Sequence, residues 1–286
     1  MSILEHFESK VRNKKANIGI GLGGSDIQNQ KILNVSGDFI IKYNLKISFI
    51  GNEASFSSIL NQDLYQKLSS NINIVSSNFP EKDVFEFLNN NPNLAFIRGS
   101  FSSNKFLKHI KTNFGVGEIN RLALLETVNG HQFFFGPVGI DECNNLKKKI
   151  SFIKLAINEM ERLNMTPRIS ILSGGRESDL GRDIRIDETV RDANKIVEVI
   201  SKKYPKLNIS HDEILIENAV NKKSNLIIAP DGISGNLIYR TLVHLGGGRA
   251  FGAIYMGLKN IIIDTSRVAE LSEIEGALLM ALVLAD

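Results

Sequence analysis

Two short segments of this chain hold residues that could grip an anion. Asp264-Thr265-Ser266-Arg267 follows Asn260 and the apolar run Ile261–Ile263. Its hydroxyls can donate hydrogen bonds, and a guanidinium offers a planar fork to phosphate or carboxylate. The other segment is Pro230-Asp231-Gly232-Ile233-Ser234-Gly235-Asn236, after Leu226–Ala229. Pro230 cannot donate to a sheet ladder, so a strand ends there and Asp231 stands at its tip. Gly232 and Gly235 lack Cβ atoms that would keep a ligand off the backbone. Asn236, in the first turn of an expected helix Asn236–Leu245, could offer its amide to a phosphate oxygen. Each segment also reads as an ordinary turn with a cap or an exposed arginine, and composition does not separate the two readings.

Two further turns carry weaker versions of the same signal. Ser173-Gly174-Gly175-Arg176 could cradle phosphate with backbone N–H groups, or could be a flexible surface loop. Arg98, closing the apolar run Leu94–Ile97, hints at an anion site or a buried structural arginine. Gly19, Gly21, Gly23 and Gly24 resemble a cofactor-binding glycine loop, but the spacing is loose and Gly51 and Asn52 stand where an acid should close the next strand. A tight strand-to-helix turn is the competing reading. The five histidines have no metal-ligand spacing, and His211 is expected just before a strand.

Such turns need strands to end on and helices to begin. The apolar runs alternate between strand-like and helical spacing along most of the chain, the mark of βαβ units and parallel sheet. Strands are expected at Asn17–Leu22, Lys46–Ile50, Ile72–Val75, Leu94–Arg98, Ile169–Leu172, Leu226–Ala229, Phe251–Met256 and Ile261–Asp264. Helices are expected over Ile3–Lys15, Ile27–Tyr43 and Ser55–Leu68, after Pro80, and over Asn104–Thr112. More follow from Lys147, after Asp187 as N-cap, and from a Ser272–Glu275 capping box to the C-terminus. Asn129-Gly130 suits a two-residue type I′ turn in a hairpin spanning Arg121–Pro137, and the first domain boundary is placed just after it, at Gly136–Gly139.

With 286 residues the chain can form two α/β lobes. A net charge of +3, with scattered basic pairs and no interleaved aromatics, argues against a nucleic-acid partner. The single cysteine, Cys143, fits a reducing compartment and excludes an internal disulfide. No apolar run reaches membrane-spanning length, and the opening MSILEHFESK carries acids where a signal peptide needs apolar residues. A cytoplasmic protein without a membrane partner is expected.

The segment APDGISGNLIYRTLVHLGGGRAFGAIYMGL, followed by NIIIDTSR, resembles the C-terminal signature of phosphate acetyl- and butyryltransferases. That signature has Pro-Asp, three residues, Gly-Asn, a short helix, a Gly-rich stretch and a strand ending in Ser-Arg. The spacing agrees from Pro230 to Arg267, and the helix from Lys147, the strand RISILSGG and the AFIRGS turn fall at the family's places. The whole chain resembles still more the methanogen MtxX group, labelled as a methyltransferase and methanogenesis marker.

The resemblance implies two α/β lobes with mainly parallel sheets and a cleft between them. The first would cover 1–137 and be completed by 255–286, the second 138–254. It also implies a homodimer and direct transfer from an acyl phosphate, or a similar phosphorylated small molecule, to a coenzyme-A-like thiol. By matching position, Ser266 and Arg267 would hold the acyl phosphate and its developing oxyanion. Glu273 would help deprotonate the thiol, and Asp231, Gly235 and Asn236 would line the phosphate site. Ser173 and Gly174 would lie near the coenzyme, and Arg98 follows by register. Three departures stand out: Val268 replaces a glycine, Glu273 an aspartate, and the loop after Ser173 is charged. A methyltransferase linked to methanogenesis and a non-catalytic ligand sensor or assembly factor are the alternatives.

Overall fold

The computed structural model describes residues 1–12, 14 and 16–285. The chain runs α1 (Ile3–Val11), β1 (Asn17–Gly21), α2 (Asp26–Tyr43), β2 (Lys46–Gly51), α3 (Glu53–Leu60), α4 (Asp63–Leu68), β3 (Ile72–Ser76), α5 (Pro80–Asn90), β4 (Ala95–Ile97) and α6 (Ser103–Phe114). It continues with β5 (Arg121–Glu126), β6 (Gln132–Gly136), α7 (Leu146–Arg162), β7 (Arg168–Ile171), α8 (Ile184–Lys203), β8 (Asn208–His211), α9 (Ile216–Asn221), β9 (Leu226–Ile228), α10 (Gly232–His244), β10 (Arg249–Tyr255), β11 (Ile262–Asp264) and α11 (Leu271–Leu284). The class is mixed α/β with mainly parallel sheet, and two compact units divide it: Met1–Ile119 with Phe251–Asp286, and Asn120–Ala250.

In the first unit the strand order is β3-β2-β1-β4-β11-β10, parallel throughout except for the β10–β11 pair. α11 is apolar all round and is buried from Glu273 to Leu284, apart from Glu275, against α1, α2, β4 and β11. A helix that hides every face belongs in a core. Fully burying one of its leucines contributes about 1.5–3 kcal/mol. At fourteen residues it is short of a bilayer, and no helix among the described residues is long and apolar enough to cross a membrane.

The second unit orders its strands β5-β6-β9-β7-β8, with β5–β6 antiparallel and the others parallel. The hairpin therefore goes with this unit rather than closing the first, because β6 pairs with β9 through Phe134, Phe135 and Gly136. Its loop holds three residues, Val128–Gly130, not two. Thr127 N–H donates to the His131 carbonyl, and only Gly130 has a positive φ.

Several element ends differ from the sequence expectation. The expected helix Ser55–Leu68 is two helices, the first capped by Asn52. Asp183, not Asp187, caps α8. His211 is the last residue of β8, ahead of α9, so it ends a strand instead of preceding one. α1 stops at Val11; Lys15 lies outside the described residues, as does Asp286 beyond α11.

Candidate functional site

In the first unit β4 and β11 run parallel, pairing Ile262 with Phe96 and Ile263 with Ile97, so their carboxyl ends finish side by side. Ligands of parallel sheets bind beyond such ends. The turn after β11 is held by contacts to three segments. Arg98, 4 % exposed, directs Nε to the Asp264 carboxylate, Nη1 to the Phe101 carbonyl at 2.6 Å and Nη2 to the Thr265 carbonyl. Thr265 Oγ1 donates to the Gly99 carbonyl at 3.1 Å. Gln28, from the first turn of α2, donates to the Ala269 carbonyl at 3.1 Å, and Lys31 pairs with Glu270 at 3.5 Å. Glu273, from the first turn of α11, accepts the Ser266 N–H at 2.6 Å.

These contacts leave two groups of the turn uncommitted. Ser266 Oγ accepts a 3.3 Å bond from Val268 N–H, and its own proton has no acceptor among the described residues. The Arg267 guanidinium is exposed, with no hydrogen bond or ion pair among them. A held backbone that presents a free hydroxyl and a free guanidinium suits an oxyanion, which would order the exposed Arg267 side chain on binding.

Arg98, assigned an anion role from register, is engaged by the protein itself. Its three donating nitrogens face the protein's own acceptors, so it positions the turn. Arg98→Met is expected to cost about 3–5 kcal/mol of stability by leaving a partly buried carboxylate without its partner. Arg98→Lys should recover only part of that loss, since an ammonium lacks the fork. Chemical denaturation of the three proteins checks both.

Glu273 is 8 % exposed, and burial pushes its carboxyl up to about 7. The Ser266 N–H and Arg98 pull the other way, while Asp264 and Glu270 add to the rise. The expected Ser272–Glu275 capping box does not form. Glu270 is the N-cap residue without a side-chain cap bond, and Glu273 reaches back to Ser266 instead.

The glycine loop beside this turn is packed by the chain itself. A Cβ at Gly21 would stand 2.5 Å from the Arg98 carbonyl oxygen, and one at Gly23 2.2 Å from that of Ser100. Gly23 N–H donates to Ser100 Oγ at 2.6 Å, and Asn29 Nδ2 returns a 2.8 Å bond to the Gly23 carbonyl. The loop is a tight turn that seats the 98–101 segment.

In the second unit α10 begins four residues before the expected Asn236. Asp231 and Ser234 cap it reciprocally: Asp231 Oδ1 accepts the Ser234 N–H at 2.8 Å, and Ser234 Oγ accepts the Asp231 N–H at 3.3 Å. The two glycines make room for protein rather than ligand. A Cβ at Gly232 would lie 1.8 Å from the Gly139 carbonyl oxygen, and one at Gly235 1.9 Å from that of Pro137. Asn236 Nδ2 donates to the Val138 carbonyl at 2.8 Å. The segment 137–142 thus occupies the space expected for phosphate beside Gly232, Gly235 and one Asn236 N–H.

Ser173 and Gly174 are likewise engaged, so this stretch is neither an open cradle nor a loose loop. Buried Ser173 Oγ lies 2.7 Å from the Gly175 carbonyl and 2.8 Å from His211 Nε2, and His211 Nδ1 is 2.9 Å from Asn194 Oδ1. Gly174 N–H donates to Thr189 Oγ1 at 2.8 Å. Burial lowers the His211 pKa, while Glu213, Glu177 and Asp212 oppose that shift. His211 borders a polar cavity of about 340 Å³, with Glu177, Asn194, Glu213 and Lys222 in its wall.

Sequence reasoning missed Gln28 and Lys31, which hold the Ser266 turn from α2. No signal in the chain marks them, because their partners lie more than two hundred residues away. Asp264 was visible as part of the motif, but its pairing with Arg98 was not.

Residues 96–282 match the family described as "Phosphate acetyl/butaryl transferase". The chain is 42 % identical over 204 residues to "Putative methyltransferase mtx subunit X" of Methanosarcina barkeri, covering 71 % of this chain and 73 % of that one. The protein of the same name from Methanosarcina mazei is 36 % identical over 269 residues, 93 % of this chain and 90 % of its own. The chain belongs to the phosphate acetyl/butyryl transferase family and, within it, to the group of these mtx subunit X proteins. Among solved structures, the branched-chain phosphotransacylase of Enterococcus faecalis V583 superposes with a TM-score of 0.72 at 14 % identity, over 95 % of this chain and 100 % of that one. A phosphotransacetylase from Streptococcus pyogenes gives 0.70 at 15 %, over 99 % and 98 %. At such identities the likeness is one of fold.

Proposed function

We propose that the chain is a transferase moving an acyl group from an acyl phosphate, or a similar phosphorylated small molecule, to a coenzyme-A-like thiol. The observation that carries this reading is the Ser266–Arg267 turn: rigidly held, with two free donors, beside a buried carboxyl near neutrality. Arg267 grips the phosphate, and Ser266 Oγ donates to the oxyanion that develops at the acyl carbonyl. Glu273 takes the thiol proton as sulfur attacks. The C–S bond forms, the C–O bond to phosphate breaks, and phosphate leaves with that bond's electrons. A base near 7 suits a thiol whose ordinary pKa is about 8.5.

In the second unit, Asn236 keeps its amide oxygen and one N–H for a ligand, and Asp231 is committed mainly to its helix. Thioester formation from acetyl, butyryl and branched acyl phosphates with coenzyme A tests the proposal. Turnover with at least one pair is expected. Binding without turnover would favour a ligand sensor or assembly factor, and silence across the panel would remove the transferase reading.

The names of the relatives favour methyl transfer as a second reading. The Gly19–Gly24 turn lends it little, since residues 98–101 lie against Gly21 and Gly23 and apolar side chains against Gly19, leaving only Gly24 facing open space. Calorimetry with S-adenosylmethionine and a methyl-pterin separates the readings; saturable binding of either would put methyl transfer first.

We further propose a cytoplasmic homodimer. α10 buries only Gly232 and Gly235 and leaves Ile233 and Leu237 exposed on one stripe, with Leu245 exposed just beyond the helix. Light scattering should give twice the 31.7 kDa chain mass. Ile233→Glu with Leu237→Glu should give the single-chain mass, and a monomeric wild type would remove this part of the proposal.

A further inference from the structure

The turn after β7 gathers a second set of reactive groups, and the transferase reading uses none of them. Ser173 Oγ lies 2.8 Å from His211 Nε2, and His211 Nδ1 lies 2.9 Å from Asn194 Oδ1. The three residues come from that turn, from the end of β8 and from the middle of α8. The orientation of Asn194 is fixed, because its Nδ2 donates to Glu177 Oε1 at 3.2 Å. Its oxygen therefore faces the ring and accepts, so Nδ1 carries a proton. In the neutral ring Nε2 is then a lone pair beside the serine hydroxyl. Burial favours that neutral ring, holding the His211 pKa below its ordinary 6.5 against the pull of Glu213, Glu177 and Asp212. Lys222, a cation in the same cavity wall, pairs with Asp212. The hydroxyl proton has two acceptors in reach, Nε2 and the Gly175 carbonyl at 2.7 Å. A hydroxyl, a base on it and a group that orients the base are the parts of an activated serine.

An independent observation adds a further part. Gly175 is buried, and its N–H has no partner among the described residues. Buried backbone N–H groups are nearly always paired, so this one marks a place for an acceptor that the chain does not itself provide. The neighbouring donors are taken: Gly174 N–H by Thr189 Oγ1 at 2.8 Å, and Ser173 N–H by the Glu213 carbonyl at 2.8 Å. Ser173 is buried, but Gly174 beside it is exposed and has no side chain to close the approach. The cavity of about 340 Å³ opens at His211 and Asn194, with room for a small donor next to the ring.

We propose that Ser173 is an acylation site, with His211 as its base, Asn194 as the positioning residue for that base and Gly175 N–H as the donor to the oxyanion. The acyl source is a small activated donor, an ester or a mixed anhydride with phosphate. As Ser173 Oγ attacks the carbonyl carbon, its proton passes to His211 Nε2. The C–Oγ bond forms, the bond from carbon to the leaving oxygen breaks with its electron pair, and Nε2 hands the proton to that oxygen. Water then attacks the acyl-serine with its proton moving to Nε2, and Oγ leaves and takes that proton back, freeing the carboxylic acid. No step involves the Ser266–Arg267 turn or a thiol, so this site stands or falls apart from the transferase reading.

The test incubates the full chain, without thiol, with p-nitrophenyl acetate and separately with acetyl phosphate, and reads product release and peptide masses. A burst of about one equivalent per chain is expected, with the acetyl group on the peptide that holds Ser173. Label from one donor only also supports the site and assigns it to esters or to anhydrides. Steady release without trapped label supports it when Ser173→Ala abolishes the release. His211→Gln should slow the reaction about a hundred- to ten-thousandfold. Asn194→Ala should slow it as well, whereas Asn194→Asp should keep it and move its pH dependence upward, because a carboxylate beside the ring favours the imidazolium. No label and no release with either donor overturns the proposal. So does acetyl found only on other residues, or release that survives Ser173→Ala. The wild-type peptide masses decide the matter even where a variant fails to fold.

Discussion

Replacing Arg267 with alanine is expected to lower thioester formation by about a hundred- to a thousandfold, in line with removal of one donor that stabilises a developing oxyanion. The fold should not change. Arg267 is exposed and holds no partner among the described residues, so far-ultraviolet circular dichroism and the midpoint of thermal unfolding should match the wild type. Arg267→Lys should recover only a small part of the rate, because a single ammonium cannot bridge two phosphate oxygens as the planar fork does. A fall in both rate and thermal midpoint would mean that Arg267 supports the turn, and the anion role would then lose its basis.

Glu273→Gln carries the second large effect, and it is read in pH. If Glu273 accepts the thiol proton, the wild-type rate should climb as pH rises through about 7, where the carboxyl loses its proton. The glutamine variant should lose about two to four orders of magnitude and show no such limb. Stability should respond with its own sign. The folded-state value lies above the ordinary 4.5, so the folded protein favours the protonated form. That contribution is fully present below about 4.5 and is lost as pH rises through about 7. The loss is on the order of 3 kcal/mol, from roughly two and a half pH units at 1.36 kcal/mol each. Glutamine keeps an oxygen for the Ser266 N–H and has nothing to ionise, so its unfolding free energy should lack that slope between pH 5 and 8. Parallel slopes in the two proteins would deny Glu273 its raised value.

Much of this architecture could be read from local chemistry. The apolar runs placed every strand except β8, whose Asn208–His211 stretch holds a single aliphatic residue, and Ser266, Arg267 and Glu273 stood out as a turn followed by a helix. What could not be read was how each turn spends its donors. Gly232 and Gly235 look the same in a sequence whether a ligand or a carbonyl lies against them; here the carbonyls of Gly139 and Pro137 do. Arg98 looks like an anion ligand until Asp264 and the Thr265 carbonyl are found on its guanidinium. The start of α10 was misplaced because Asp231 and Ser234 cap each other, a reciprocal bond that looks in sequence like a ligand-facing loop. The capping box at Ser272 failed because α11 begins earlier: Glu270 takes the N-cap position, so Ser272 lies inside the first turn. Local signals survive when bonds are local, and they fail where a partner arrives from a distant segment.

The most direct measurement is a crystal structure with a non-hydrolysable acyl phosphonate bound at a concentration that saturates inhibition. The account predicts phosphonate oxygens within hydrogen-bonding distance of the Arg267 guanidinium, with Ser266 Oγ facing the carbonyl oxygen and the Glu273 carboxyl nearby. Density for the analogue elsewhere in the molecule, with Arg267 still in solvent, would contradict it.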